Sequence, residues 1–218
     1  MEPIPFSAFK QRLRGNCELP SIGQPSLVVG LRDLAKIECI IAMPVPYLNT
    51  LMYSVTLVGD STIRPYAGKK ISIRRMDPRG MRVSQTFVER KKLLGFLERF
   101  GNTFENHHIT GGVAKLMPFI AYGETKERET AIAHYLPPIL ELRDGRVLLD
   151  GTHRNLLAMQ TGTTIEAVHI YHVETPLPCE PVGWEEVKPV DEKPEKEYRF
   201  RSLNRHFFRN LDAIGVDG

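Results

Sequence analysis

Asp150-Gly151-Thr152-His153-Arg154 is the string of this chain best suited to chemistry. It follows an apolar run, Val147-Leu148-Leu149, and leads into Asn155-Leu156-Leu157-Ala158-Met159-Gln160, a helical pattern stopped at Thr161-Gly162. A helix that begins directly after a glycine turn presents unpaired N–H groups and the positive end of its dipole beyond the strand end, a setting that suits an anion. Gly151 lets backbone come close, Thr152 offers a hydroxyl, and His153 and Arg154 add a switchable and a permanent cationic donor. The chemistry expected is phosphate binding. The same residues also admit plain capping, in which Asp150 or Thr152 caps the helix, His153 is a surface residue and Arg154 pairs with a carboxylate such as Glu166.

Several elements must position that turn. Ile139-Leu140-Glu141-Leu142 and Val147-Leu148-Leu149 flank Arg143-Asp144-Gly145-Arg146, and a central Asp-Gly is favoured in a tight hairpin. Residues 164–173 alternate as a strand, so hairpin, turn, helix and strand make a βαβ-like unit of about thirty-five residues. Upstream, strands are expected over 37–43, 52–58 and 70–74, the last with Ile71 and Ile73 on one face. A helix is expected over 84–100, capped by Ser84 and ended by Gly101, and a short charged helix over 124–134. The first forty residues read as loop-rich. Residues 186–196 read as a proline-spaced charged linker, and 200–214 as a basic amphipathic helix. The fold class expected is α/β (α+β), a mixed sheet with a few helices. It forms one domain over 1–185, with 186–218 as linker and C-terminal helix.

Composition limits the partners. The chain has 218 residues and 24.8 kDa, 42% hydrophobic and 25% charged, which excludes disorder, collagen and coiled coil. Apolar runs such as Cys39-Ile40-Ile41-Ala42-Met43 fall far short of the roughly 20 residues of a membrane helix, and no secretory leader is read, so no membrane partner and a cytoplasmic location are expected. Cys17, Cys39 and Cys179 are too scattered for a disulfide framework or a CxxC zinc site. The net charge is only +3, yet residues 64–92 hold ten basic residues against Asp77 and Glu89, a local net of +8. Lys69, Lys70, Arg74 and Arg75 can track a nucleic-acid backbone, or form a solvated face balanced by acids elsewhere.

Other candidates carry less. His169 and His172, three apart on a strand, point to opposite faces, and the adjacent His107 and His108 are poor co-ligands, so no metal site is expected. Cys179 has no neighbouring positive charge to activate it, and Trp184 reads as core or edge packing.

The run from Leu136-Pro137-Pro138 through the hairpin, Asp150-Gly151-Thr152-His153-Arg154 and the following helix and strand resembles the core of the ParB/sulfiredoxin-like superfamily. That family shares a proline pair, a β-hairpin and a D-G-x-H-R-type turn into a helix. The similarity covers about residues 136–173, with residues 1–119 as an N-terminal elaboration. It implies backbone contacts to nucleotide phosphate from Gly151 and Thr152, side-chain contacts from His153 and Arg154, and Asp150 orienting a substrate hydroxyl or a Mg²⁺ ion. Sulfiredoxin has a cysteine where this chain has Thr152, so sulfinic acid reduction is not implied. Family kinases use a carboxylate base upstream of the proline pair. Glu124, Glu127 and Glu129 stand in that region, and Glu129 is carried forward as the catalytic candidate beside Asp150 and His153.

The resemblance and the turn together imply a phosphotransferase or nucleotide hydrolase using ATP, ADP or CTP with Mg²⁺. The alternative is a DNA-binding, nuclease-like module of the partition type, in which the basic 64–92 segment contacts DNA. A third reading keeps the turn for folding alone. Expected partners are a nucleotide, DNA in the second reading, and a second copy of the chain as a homodimer.

Overall fold

A computed structural model of the chain describes residues 1–14, 24–92 and 116–216. The fold is mixed α+β. Residues divide into two compact units, and both are discontinuous in sequence: Met1–Gly68 with Met117–Leu136 and Arg209–Gly218, and Lys69–Leu116 with Pro137–Phe208. The division therefore differs from a single 1–185 domain with an appended tail, because strand pairing draws the C-terminal residues into both units. Among the described residues no helix is long and apolar enough to cross a membrane.

The first unit is built on a five-stranded sheet in the order β1-β2-β9-β8-β3, comprising β1 (Ile4–Pro5), β2 (Leu27–Val28), β3 (Leu34–Ala42), β8 (Phe119–Thr125) and β9 (Thr130–Tyr135). A two-stranded pair, β4 (Thr56–Leu57) with β14 (Arg209–Asn210), completes it. Its helices are α1 (Phe6–Arg12) and α2 (Val45–Ser54). The segment 124–134, expected as a helix, is instead the β8–β9 hairpin, with Glu124 opposite Thr130 and the chain reversing at Arg128, φ 63°. The buried Ala131, Ile132 and Ala133 are consistent with this, since they pack within a sheet on both faces. Residues 52–54 close α2, where a strand was expected. Pro44 and Pro46 preset its first turn, and Tyr47, Leu48, Leu51 and Met52 bury one helical face. The loop-rich beginning likewise contains α1, held by fully buried Phe9.

The second unit has a five-stranded sheet in the order β5-β12-β10-β11-β6: β5 (Ile71–Met76), β6 (Arg82–Val83), β10 (Ile139–Leu142), β11 (Arg146–Asp150) and β12 (Ile165–Tyr171). The expected hairpin is present, β10 pairing antiparallel with β11, with Leu142 opposite Arg146. Helix α3 (Thr152–Gln160) then carries the chain to β12, which lies parallel to β10. One face of the sheet buries Met76, Leu140, Leu148, Ile165 and Ala167 with Ala158 of α3, and Trp184 packs against them while its indole N–H donates to Pro78 O at 2.8 Å.

Residues 84–100 were expected as one helix. Phe87–Glu89 is a strand, β7, paired in parallel with β13 (Lys188–Val190), and the chain turns helical at Arg90. Ser84 is buried and its hydroxyl donates to Leu149 O at 3.3 Å, so it caps no helix. Residues 93–100 lie outside the described residues, as do Cys17, Gly101, His107 and His108. The stretch 186–196 includes β13 and is thus part of this unit's sheet structure. Residues 200–214 form 3-10 turns and β14 in place of an amphipathic helix, since Arg209 and Asn210 are used in pairing with β4.

Candidate functional site

Gly151 is the N-cap of α3 with φ 92°, a left-handed conformation, and no side chain caps the helix. A Cβ at this position would lie 2.8 Å from Pro138 Cβ. The proline pair and the glycine are therefore one device: Pro138 packs where any side chain at 151 would stand, and only glycine accepts both the contact and the positive φ. The first intrahelical bond runs from Asn155 N–H to Gly151 O at 3.0 Å, so the N–H groups of Thr152, His153 and Arg154 precede it.

The side chains of the turn divide into those already engaged and those left over. Arg154 Nη2 meets Asp150 Oδ2 at 2.9 Å, an i,i+4 ion pair with both groups largely buried. The cation that the sequence aims at a ligand is thus half neutralised by the acid four residues before it. His153 Nε2 accepts the backbone N–H of Glu89 in β7 at 2.9 Å. That bond assigns the proton to Nδ1 and the ring to its neutral form. Burial, and then the Lys92 ammonium, hold the imidazole down at about 4, so His153 serves as a neutral donor through Nδ1 where a cationic one was expected.

Thr152 is 2% exposed and its Oγ1 has no hydrogen-bond partner. Asn155, fully buried, donates Nδ2 to Gly151 O at 2.9 Å, and its Oδ1 is also left without a partner. Two unsatisfied polar atoms in the first turn of one helix are unusual, because each such group costs about 1–3 kcal/mol. Asn155 was not singled out from the sequence. Its amide reads there as an ordinary helical residue, and only its burial marks it.

The remaining expected site residues fall elsewhere. Glu129 belongs to the first unit, in the exposed turn between β8 and β9, where its backbone bonds to Thr125. The second unit by itself assembles only residues 150–154. Of the basic residues, Arg75 Nε pairs with Glu166 at 2.9 Å, Lys69 with Glu174 at 3.5 Å, and Lys70 Nζ lies 5.4 Å from the Tyr171 ring centroid. Arg75 has taken the carboxylate that the capping reading offered to Arg154. Arg74 stands exposed without a partner among the described residues. Cys179 is a buried thiol directed at Ser84 O, 3.4 Å away.

Asp150 is the one carboxylate of the turn, and it is bonded to Arg154. Among the described residues no group of three His, Cys, Asp or Glu side chains gathers to hold a metal ion. The turn's own donors therefore do not fit a resident Mg²⁺. Compared with known proteins, the chain matches no family model, no curated protein and no solved structure.

Proposed function

We propose that the start of α3 binds a phosphate group of a nucleotide, and that the protein is a nucleotide-phosphate-binding phosphotransferase or nucleotide hydrolase. The observation that carries this reading is the buried Thr152 hydroxyl, left without a partner beside an uncapped helix N-terminus that begins on a left-handed glycine. A phosphate oxygen accepts from Thr152 Oγ1 and from amide N–H groups that precede the first helical bond, and the helix dipole favours its charge. Nδ1–H of His153 adds a neutral donor. Asp150, bonded to Arg154 through Oδ2, keeps its second oxygen for a substrate hydroxyl or water. Phosphoryl transfer asks mainly for positioning and charge stabilisation, which donors on a rigid helix start supply.

A thermal-shift panel of ATP, ADP, CTP, GTP and inorganic phosphate, each with and without Mg²⁺, tests this on the native chain and on Thr152→Val. Ligand at 100 times its dissociation constant adds about 2.7 kcal/mol. The expected result is a nucleotide-selective shift that Thr152→Val abolishes, followed by phosphate release from the nucleotide that shifts most. Absence of a shift with every nucleotide, or an undiminished shift in Thr152→Val, overturns the reading.

A further inference from the structure

The sheet of the second unit sorts its charges between two faces. Strand alternation puts Glu166 and Arg75, which pair at 2.9 Å, on the face opposite His169, and Glu141 alternates to that same opposite face between Leu140 and Leu142. On the His169 face the register places Ser72 directly across from His169 and Arg74 across from Ala167, two residues along β5. On the other side, Leu140 lies beside His169 and Leu142 beside Tyr171, and Leu142 is opposite Arg146 of β11. Diagonal neighbours on one face sit about 7–8 Å apart, well within reach of arginine side chains. The half of this face near Ala158 is covered by α3. The other half presents Arg74, Arg146, His169 and Tyr171.

His169 is 5% exposed, yet its Nε2 has no hydrogen-bond partner. Both arginines are exposed, and among the described residues neither has an ion pair or a hydrogen bond. The two guanidiniums, after burial, hold the His169 imidazole below its ordinary value, which is the electrostatic sign of two unneutralised cations beside it. Tyr171, hydrogen-bonded to Ser72 at 3.2 Å, keeps its ring 6.4 Å from the histidine, and Lys70 adds a third positive charge over that ring. A protein seldom leaves a buried ring nitrogen unpaired between two cations with no acid on the same face, because the orphan and the mutual repulsion are both unfavourable. A doubly charged oxyanion relieves both. It accepts from Nε2–H and takes one guanidinium on each side, and its charge of two matches the pair of arginines as a singly charged carboxylate does not.

We propose that Arg74, His169 and Arg146 form a second anion site, distinct from the α3 turn, that binds a dianionic phosphate monoester. The site lies toward the Arg146 end of β11, whereas the turn follows Asp150 at the other end, about 13 Å away along the strand.

The test is histidine-ring NMR on the full chain with isotope-labelled histidine, His169 being assigned by its loss in His169→Gln. Inorganic phosphate is titrated against sodium chloride at matched ionic strength, with a mononucleotide and a single-stranded oligonucleotide lacking terminal phosphates as further arms. The expected result is a saturable shift of the His169 ring with phosphate and with the mononucleotide. It is absent with chloride and with the oligonucleotide, lost in the Arg74→Gln/Arg146→Gln variant and retained in Thr152→Val. Native-like circular dichroism and melting of the double arginine variant show that the loss is not unfolding. A His169 ring that does not respond to phosphate overturns the proposal, as does a response that survives in the double arginine variant. A response lost in Thr152→Val and kept in the arginine variant assigns the phosphate to the α3 turn alone. A response to the oligonucleotide alone overturns the monoester in favour of a nucleic-acid backbone.

Discussion

The backbone N–H of Glu89 donates to Nε2 of His153 at 2.9 Å, so the imidazole at the start of α3 is an acceptor before any ligand arrives. A protonated ring has no lone pair at Nε2 and cannot keep this bond. Burial together with the Lys92 charge holds the ring at about 4. Long-range nitrogen NMR is therefore expected to show the neutral Nδ1–H tautomer from pH 7 down to pH 5. An imidazolium at pH 6 would contradict the assignment. His153→Ala leaves the Glu89 N–H unpaired and is expected to lower stability by about 1–2 kcal/mol in urea unfolding.

Gly151 carries a second constraint. An alanine there must hold φ near 92° and place its Cβ 2.8 Å from Pro138 Cβ. The left-handed backbone alone costs about 1–2 kcal/mol for a non-glycine residue, and the overlap adds to it. Gly151→Ala is expected to lose at least about 2 kcal/mol in chemical denaturation, and Pro138→Ala in the same chain to recover only the overlap. A Gly151→Ala chain as stable as the native one would mean that the turn is not built this way.

The pH dependence of the first unit follows from His134. Its Nε2 lies 2.8 Å from the Tyr47 hydroxyl and its Nδ1 3.3 Å from Gly215 O, which makes the ring a neutral donor to the carbonyl and an acceptor from the phenol. Full burial lowers it from 6.5 to about 4. Because the unfolded chain binds the proton more readily, the contribution is complete above pH 6.5 and is lost as the pH falls from 6.5 towards 4. The loss totals about 3 kcal/mol. His134→Gln, whose amide can serve both partners, is expected to flatten that part of the stability profile. Identical slopes for the native and variant chains between pH 6.5 and 4 would refute the account.

Local sequence determined the segment that holds the candidate turn. The hairpin around Asp144-Gly145, the glycine before α3, the helix itself and the alternation of β12 all depend on neighbours a few residues away, and each is where turn chemistry and periodicity place it. The segments at 52–58, 84–89, 124–134 and 200–214 went otherwise, because their conformation is set by distant partners. Phe87–Glu89 pairs with Lys188–Val190, and Arg209 pairs with Leu57, and no window of either strand contains the other. The same holds for the chemistry. The residue types of Asp150 to Arg154 announce an anion site, but tertiary contacts decided that Arg154 is spent on Asp150, that His153 accepts from Glu89 and that Thr152 is left unsatisfied. Likewise the sequence shows Arg74, Arg146 and His169 far apart. Only the antiparallel register of β5 with β12, and the hairpin beside it, gather them on one face, since the direction of a strand side chain is local while its neighbours across the sheet are not.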